Sequence, residues 1–578
     1  MKFGPLGSST NIQKHNFLPL GIIVIIMMSV LGIILARLTT LTVFRGQELR
    51  RRADENRILI RKIPAPRRII FDRNGKALTR NAPEGRIYPF EKNFTHVIGY
   101  VGEVSEDEMQ NDSSLNIGDA IGKSGLEKQY DRTLRGVDGA ELIEVDAMGN
   151  LLGVLEDLPP QSGKDLHTNL DANLQIAMTE SLGDRKGAAV AIDPVDGTVL
   201  GLASSPAYDP NVFGKIMSNE QKIESNEKEI QNLLTDTINL PLFNRAISGE
   251  YPPGSIFKLV TAAAGLAENK INSRTLIMDT GEIKIGAFRF GNWYFDQYGK
   301  TEGEIGIIRA LARSNDIFFY KVGELLGPDL LSGWARKFGL GEKTEIDLIG
   351  EVDGLVPDSK WKEKTTGERW FLGNTYHMAI GQGDVQLTPL QAAMMAGAVA
   401  TGKKCQPRIA NSVFRIQNSE LNCQDIGISD QDRNLILEGM VGACSTGGTA
   451  FPFFPWNQSI EGLTFNKAIH QSNGISNYPA VACKTGTSQH GGKQIKPHAW
   501  IVVVGPIAQR NSEFRIPCPP SAIAEGDCRR ENSELYKLDL ESKKRIVLVV
   551  MLEDAGEGSY EAGPVAKKIL EKWFKNDD

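Results

Sequence analysis

The sequence predicts an α+β protein with one N-terminal membrane-spanning helix, a β-rich segment, and a larger domain whose central antiparallel sheet is flanked by helices. Three observations predict it. Asn16–Ala36 is a run of 21 residues without a charge. Short apolar runs at 188–192, 198–202, 499–506 and 545–552, the last two rich in β-branched residues, suit core strands. Apolar residues at helical spacing mark 307–323 and 386–400, and 565–574 closes the chain as a terminal helix.

The chain has 578 residues, more than one ordinary core holds, so two or more domains are expected. Its net charge of −6 opposes the basic face that nucleic acid requires, so no nucleic-acid partner is expected.

The apolar run is long enough to cross a bilayer as a helix. A cleaved signal peptide would have a shorter apolar core and small residues before a cut site, and Ala36-Arg37-Leu38-Thr39 offers none. A buried soluble helix of this length would show a polar face. The reading is therefore a cytoplasmic tail over 1–15 and an uncleaved single-pass anchor over 16–37. Orientation is contested: Lys2 and Lys14 precede the span, whereas Arg37, Arg45, Arg50, Arg51 and Arg52 come after it. Counted by positive charge alone, the large domain would face the cytoplasm. The chemistry of the motifs requires the opposite side, and the chemistry is preferred.

Beyond the anchor, 38–165 mixes basic runs, β-like segments and turn signals, with Asp72-Arg73-Asn74-Gly75 as a hairpin turn. From Lys186 the pattern is strand, tight turn at Asp193–Gly197, strand; 214–240 is Glu/Lys-rich and suits an exposed helix. Six cysteines show no CxxC pair and no zinc spacing. Cys518 and Cys528 could close a small disulfide loop or stay unpaired thiols.

Three constellations carry chemistry. In Tyr251-Pro252-Pro253-Gly254-Ser255-Ile256-Phe257-Lys258, the prolines and glycine stop any preceding element, so Ser255 can open a helix. Lys258 then lies on the same face one turn on. Serine is a weak nucleophile that needs an adjacent base, and a desolvated lysine can serve. In Ser314-Asn315-Asp316, a hydroxyl and a carboxylate could share a cleft wall, or the trio could simply cap a helix. In Lys484-Thr485-Gly486-Thr487, a strand with Lys and Thr can hold a substrate carboxylate, and its glycine admits a close backbone. The plain reading is a surface strand. Each motif is weak alone; together and in this order they are not.

S-x-x-K, S-x-[ND] and K-T-G resemble the set shared by penicillin-binding proteins and serine β-lactamases. The likeness extends over nearly the whole chain, which resembles class B penicillin-binding proteins, most of all the elongation-type penicillin-binding protein 2 subgroup. Glu55-Asn56-Arg57, Pro66–Gly75, Gly125-Leu126-Glu127, Tyr130-Asp131 and Leu134-Arg135-Gly136 resemble that family's N-terminal motifs. Asp209-Pro210-Asn211, Asn244-Arg245-Ala246, Gly381-Gln382-Gly383 with Thr388-Pro389, His498-Ala499-Trp500 and Gly563-Pro564-Val565 resemble motifs of its catalytic domain. Three departures stand out: Arg68 and Cys483 replace the usual glycines, and Asp316 replaces the commoner asparagine.

The resemblance implies an elongated, β-rich, dimerisation-like pedestal over 38–165 and a penicillin-binding/serine β-lactamase-like transpeptidase domain over 166–578. It implies Ser255, Lys258, Ser314 and Asp316 as catalytic residues, and Asn315, Lys484, Thr485, Gly486 and Thr487 as substrate-binding ones. The implied substrate is the D-Ala-D-Ala end of a peptidoglycan stem peptide, cross-linked through an acyl-enzyme on Ser255 at the outer face of a bacterial inner membrane. Implied partners are β-lactams, a SEDS-type glycan polymerase and elongation-complex proteins. Some members of the subgroup bind zinc through Asp, His and Cys, but between Lys258 and Ser314 this chain has neither His nor Cys, so no metal and no cofactor is expected. The competing readings are a division-type relative, a D,D-carboxypeptidase, a soluble β-lactamase, and a non-catalytic β-lactam sensor or scaffold. The anchor and pedestal oppose the β-lactamase. The short tail opposes a sensor, and the retained Ser255 and Lys258 oppose a scaffold.

Overall fold

A computed structural model describes residues 18–575, apart from 84, 113, 147, 215–219, 412–421, 458–477, 492–493 and 511–534. Packing divides the chain into two compact units: Met1–Pro66 with Gly136–Gly163, and Arg67–Arg135 with Lys164–Asp578. Residues 67–135, grouped with the pedestal on sequence, thus pack with the residues of the catalytic domain.

In the first unit, helix α1 (Leu18–Thr39) runs into one further turn, and its apolar run Gly21–Phe44 is 24 residues long with none of it buried. At ~1.5 Å per residue that is about 36 Å, enough for the ~30 Å hydrocarbon core. A three-stranded antiparallel sheet comes next, with β2 (Gly139–Val145) between β1 (Ile58–Ile63) and β3 (Leu151–Leu158). Arg61 sits directly opposite Glu141 and bonds to it, the cross-strand pairing that register favours. β3 leaves Leu152, Val154, Leu155 and Leu158 exposed.

The second unit begins with a buried ionic knot. Glu127 is fully buried and accepts from Arg67 Nε at 2.7 Å and Arg86 Nε at 2.8 Å, while Arg67 also reaches Asp131 at 2.7 Å. This knot joins the separate N-terminal motifs. Arg68 points instead to Asp165, 2.7 Å away, so the side chain at this unusual position is accommodated. The expected turn forms: Asp72 Oδ1 accepts from Asn74 N–H and Lys76 N–H, and Gly75 takes φ +81°. Tyr130 donates to Asp347, 2.8 Å away, and Ile70 and Val97 join the large core, which is why 67–135 packs with the chain from Lys164 onward.

That core is built on a five-stranded antiparallel sheet. In chain order its strands are β4 (Gly187–Ile192), β5 (Val199–Ser205), β6 (Ala482–Ser488), β7 (His498–Gly505) and β8 (Ile546–Leu552), arranged β5-β4-β8-β7-β6. Because side chains alternate across a strand, Val190, Val502 and Val549 enter one core and Ala191, Val503 and Val550 the other. Both faces are covered, so the strands read as continuous apolar runs. Helices α3 (Lys258–Ala267) and α6 (Pro389–Thr401) cover one face; α2 (Ala172–Leu182) and α8 (Ala562–Lys575) cover the other. The Glu/Lys-rich segment is a helix over Glu220–Thr235.

The periodicity over 307–323 predicted one helix. Two form: α4 (Ile307–Ala312) and α5 (Asp316–Lys337). Ser314 adopts φ +52°, which no helix continues, and Asn315 Oδ1 accepts from Phe318 N–H to start the second. Cys405–Cys423 and Cys444–Cys483 are disulfides; the candidate loop Cys518–Cys528 lies outside the described residues.

Removing Glu127 takes from Arg86 and Arg67 the buried carboxylate they share, leaving Arg67 with Asp131. Glu127→Ala is expected to lower unfolding stability by about 3–5 kcal/mol, the usual scale for breaking a buried pair. Denaturant unfolding of the detergent-solubilised protein measures this, and a loss below about 1 kcal/mol, the scale of an exposed pair, contradicts it.

Candidate active site

Ser255 sits on a 3₁₀ turn, Gly254–Phe257, that leads directly into α3. Residues three apart eclipse in such a turn, so Ser255 and Lys258 leave the backbone on the same side. Gly254 takes φ +56°, and a Cβ there would lie 2.7 Å from Thr487 O, so only glycine lets the turn press against β6. Its N–H donates to Gly381 O at 2.8 Å, and Trp500 Nε1 donates to Pro252 O at 3.1 Å. The Gly381-Gln382-Gly383 loop completes the frame, Gln382 Nε2 donating to Thr487 O at 3.1 Å. Gly486 faces Pro253 O, where a Cβ would stand 2.9 Å away.

Lys258 is fully buried. Its Nζ donates to Asp316 Oδ1 at 2.7 Å and Ser314 O at 2.8 Å, with Ser314 Oγ 3.3 Å away. Lys484, also fully buried, reaches the same hydroxyl: its Nζ is 2.8 Å from Ser314 Oγ and 3.0 Å from Thr485 O. The positive φ of Ser314 presents both its carbonyl and its hydroxyl to Lys258. Burial drives the Lys258 amine below the ordinary lysine range, with Asp316 partly restoring it. Lys484 is held well below that range, by burial first and then by the charge of Lys258, against an opposing pull from Asp316. Burial thus lowers the proton affinity of both amines, and that of Lys484 the more.

Ser255, Ser314, Asp316, Thr485 and Thr487 line an open cleft of about 890 Å³. Lys258 and Lys484 stand behind its wall. Thr487 Oγ1 accepts from Gly558 N–H at 3.3 Å, and Thr485 Oγ1 bonds to Thr449 Oγ1 at 2.9 Å. Asn315, expected to bind substrate, is turned into the protein: its Nδ2 donates to Asp279 Oδ2 at 2.8 Å, and its Oδ1 is the α5 cap. Geometry therefore corrects that expectation; Asn315 holds Ser314 and Asp316 in place. Asp279 also accepts from Asn292 Nδ2 at 2.9 Å, and Asn292 Oδ1 in turn accepts from Asp316 N–H at 3.2 Å.

Several residues of the site were not found from the sequence. Thr449 comes after Gly447-Gly448, shortly beyond helix α7 (Asp430–Ala443). Trp293 N–H donates to Asp316 Oδ2 at 3.0 Å. Trp293 and Tyr298 stand among the lining residues, as do Phe451 and Tyr560, whose rings lie 4.9 Å apart. The only sequence signal for them was the aromatic cluster around 293–298. Cys483, beside Lys484, is buried and bonded to Cys444 just past α7, so its side chain faces the core and does not obstruct the strand.

A serine and a lysine one turn apart, a Ser-x-Asp loop and a Lys-Thr-Gly edge strand, gathered on this sheet, define a site of the penicillin-binding class. Residues 187–514 match the penicillin binding protein transpeptidase domain, and residues 83–168 match the penicillin-binding protein dimerisation domain. The chain belongs to the penicillin-binding protein transpeptidase family. It is similar to the peptidoglycan D,D-transpeptidase MrdA of Acinetobacter baumannii, 36% identical over 373 residues, 63% of this chain. That match spans about half of the relative, 53% of its length. Among solved structures it resembles Pseudomonas aeruginosa PBP2 in complex with WCK 5153, at 29% identity and TM-score 0.69, covering 90% of this chain and 97% of that one. It also resembles a chain from the structure titled "Structural coordination of polymerization and crosslinking by a peptidoglycan synthase complex", at 25% identity and TM-score 0.69, covering 98% and 99%.

Proposed function

We propose that this chain is a peptidoglycan D,D-transpeptidase that cross-links stem peptides through a Ser255 acyl-enzyme. The observation that carries the reading is the single hydroxyl, Ser314 Oγ, within hydrogen-bond reach of two buried amines at the wall of a cleft lined by Ser255.

With the cleft empty, Asp316 makes Lys258 the better proton holder of the two amines. A substrate carboxylate arriving beside Lys484 and the Lys-Thr-Gly strand raises the proton affinity of Lys484. A proton can then pass from Lys258 through Ser314 Oγ to Lys484, leaving Lys258 a free amine. Lys258 takes the Ser255 proton as Ser255 Oγ bonds to the carbonyl carbon of the penultimate D-Ala. The N–H groups of Ser255 and Thr487 stabilise the oxyanion. The carbon–nitrogen bond breaks, and the departing D-Ala amine receives a proton by way of Ser314. An acceptor amine from a second stem then attacks the ester carbonyl, its proton passes to Lys258, and Lys258 returns that proton to Ser255 Oγ as the carbon–oxygen bond breaks. β-Lactams acylate the same oxygen.

The same features support a cellular setting. Two disulfides support an oxidising compartment, hence the outer face of the inner membrane, against the positive-charge count around the anchor. The similarity to a chain of a peptidoglycan synthase complex supports a glycan polymerase of the SEDS type as partner, and the exposed apolar edge β3 supports docking by the first unit. The Tyr251–Ser255 form and Asp316 resemble the elongation subgroup in particular, and support the elongation role.

Two outcomes test this. Fluorescent penicillin is expected to leave an adduct on the wild type that survives a denaturing gel, and none on Ser255→Ala; rapid turnover without an adduct would instead mark a β-lactamase. The rate of acylation is expected to be low where Lys258 keeps its proton after substrate binds and to rise with pH to a plateau. Its apparent midpoint falls below the ordinary lysine value of 10.5, because burial lowers it. Asp316→Asn removes the group that restores the proton, so the midpoint moves further down; an upward shift contradicts the assignment.

A further inference from the structure

The Gly447-Gly448-Thr449 loop brings a third threonine hydroxyl to the wall of the cleft, from outside the Lys-Thr-Gly strand. Its backbone is held by four bonds. Arg313 Nη1 donates to Gly447 O at 2.7 Å, and Gly448 N–H to Ser445 O at 2.9 Å. Ser559 Oγ donates to Thr449 O at 2.7 Å, and Ala450 N–H to Ala443 O at 2.8 Å. Gly448 admits no side chain, because a Cβ there would lie 2.3 Å from Gly442 O. The Cys444–Cys483 bridge ties the start of this loop to β6. A hydroxyl on so fixed a backbone loses little freedom when a ligand arrives.

Thr485 is only 7% exposed, so the proton of its hydroxyl needs an acceptor inside the protein. It has one, since Thr485 Oγ1 donates to Thr449 Oγ1 at 2.9 Å. Thr449 is half-buried and lines the cleft, and its own hydroxyl proton has no acceptor among the described residues. Thr487 is in the same condition: its Oγ1 accepts from Gly558 N–H, and its proton is left for the cleft. Two free protons thus face one groove. Thr485 and Thr487 share a face of β6, about 6.6 Å apart, and Thr449 stands against the first of them. A carboxylate that accepts one bond of about 2.7 Å at each oxygen spans a similar distance. The charges nearby suit an anion. Lys484 Nζ bonds to Thr485 O, and Arg313 sets a permanent cation on Gly447 O. The acidic groups of the cleft are engaged elsewhere: Asp316 with Lys258, Asp296 with Arg289, and Glu557 with Gln297.

We propose that Thr449 is a substrate-binding residue whose hydroxyl donates to one oxygen of the substrate's terminal carboxylate, while Thr487 donates to the other and Thr485 orients Thr449. The inference rests on the reading of this cleft as the acyl-transfer site, and adds to it a specificity determinant that lies outside the three motifs. Thr449 makes and breaks no covalent bond. Its contribution is a preference for acyl donors that carry a negative charge at this position, because a hydrogen bond to a charged oxygen is stronger than one to a neutral oxygen.

Benzylpenicillin and its methyl ester, which lacks only the charge, are each competed against fluorescent penicillin on the full-length protein in detergent. The competition gives a second-order acylation constant for each compound. Thr449→Val keeps the shape of the side chain and removes the hydroxyl. Its constant for benzylpenicillin is expected to fall about tenfold, the scale of one hydrogen bond to a charged group. Its preference for the acid over the ester is expected to fall about fivefold, since the bond to a charged oxygen is about twice as strong as the neutral one. Thr449→Ser returns the hydroxyl and is expected to restore both. Equal losses with acid and ester would make Thr449 a purely structural residue, and unchanged constants would make it a bystander. Either result overturns the inference, as does a serine variant that behaves like the valine one. If wild type itself takes no adduct on Ser255, the transpeptidase reading fails, and this inference fails with it.

Discussion

Two lysine amines converge on the hydroxyl of Ser314, and the rest of the catalytic unit is arranged around that convergence. Taking an ammonium out of water is costly enough that a buried lysine gives up its proton unless a partner holds it. Asp316 bonds directly to Lys258 and acts on Lys484 only through its charge. The asymmetry separates the proton affinities of two chemically identical groups. That separation is what acid–base catalysis at one serine requires: one amine able to accept and one able to return a proton, with a hydroxyl between them.

Holding that geometry falls to the backbone as much as to side chains. Ser314 must lie in the left-handed region to turn both its oxygens towards Lys258, so the helix ends at Ala312 and restarts at Asp316. Asn315 caps the new helix while bonding to Asp279, which Asn292 also holds, and Asn292 accepts from Asp316 N–H. Across the cleft, Gly254 and Gly486 let the Ser255 turn and β6 meet backbone to backbone. The Cys444–Cys483 bridge ties β6 to the segment after α7, one residue from Lys484. Apolar packing on both faces of the sheet offsets what the buried amines cost.

Much of this was legible in the sequence where the signal is local. The core strands and the capped helix at Thr388-Pro389 are encoded by period and by stop signals a few residues long. The three motifs were recognisable because order along the chain survives folding. What was not legible depends on distant partners or on single dihedrals. Nothing in the spacing of apolar residues over 307–323 reveals that Ser314 takes a positive φ, so a continuous helix was expected. Asn315 sits between two cleft residues in sequence, yet the helix start turns it the other way. Cys444 and Cys483 are 39 residues apart, and only the contact of α7 with β6 makes them neighbours. Thr449 reaches Thr485 through a glycine-rich loop with no motif of its own. The packing of 67–135 with the chain from Lys164 onward depends on contacts such as Tyr130 with Asp347, 217 residues away, a pairing that no local pattern encodes.

The shared hydroxyl is tested most directly by the acylation rate of Ser314→Ala, measured with a fluorescent penicillin under single-turnover conditions. A group that carries a proton between base and leaving group is worth about 10²–10⁴-fold, so the rate constant is expected to fall by that much while non-covalent binding is retained. Acylation within about twofold of wild type, far short of that range, would show that the two amines do not communicate through Ser314, and the account of the site would be wrong.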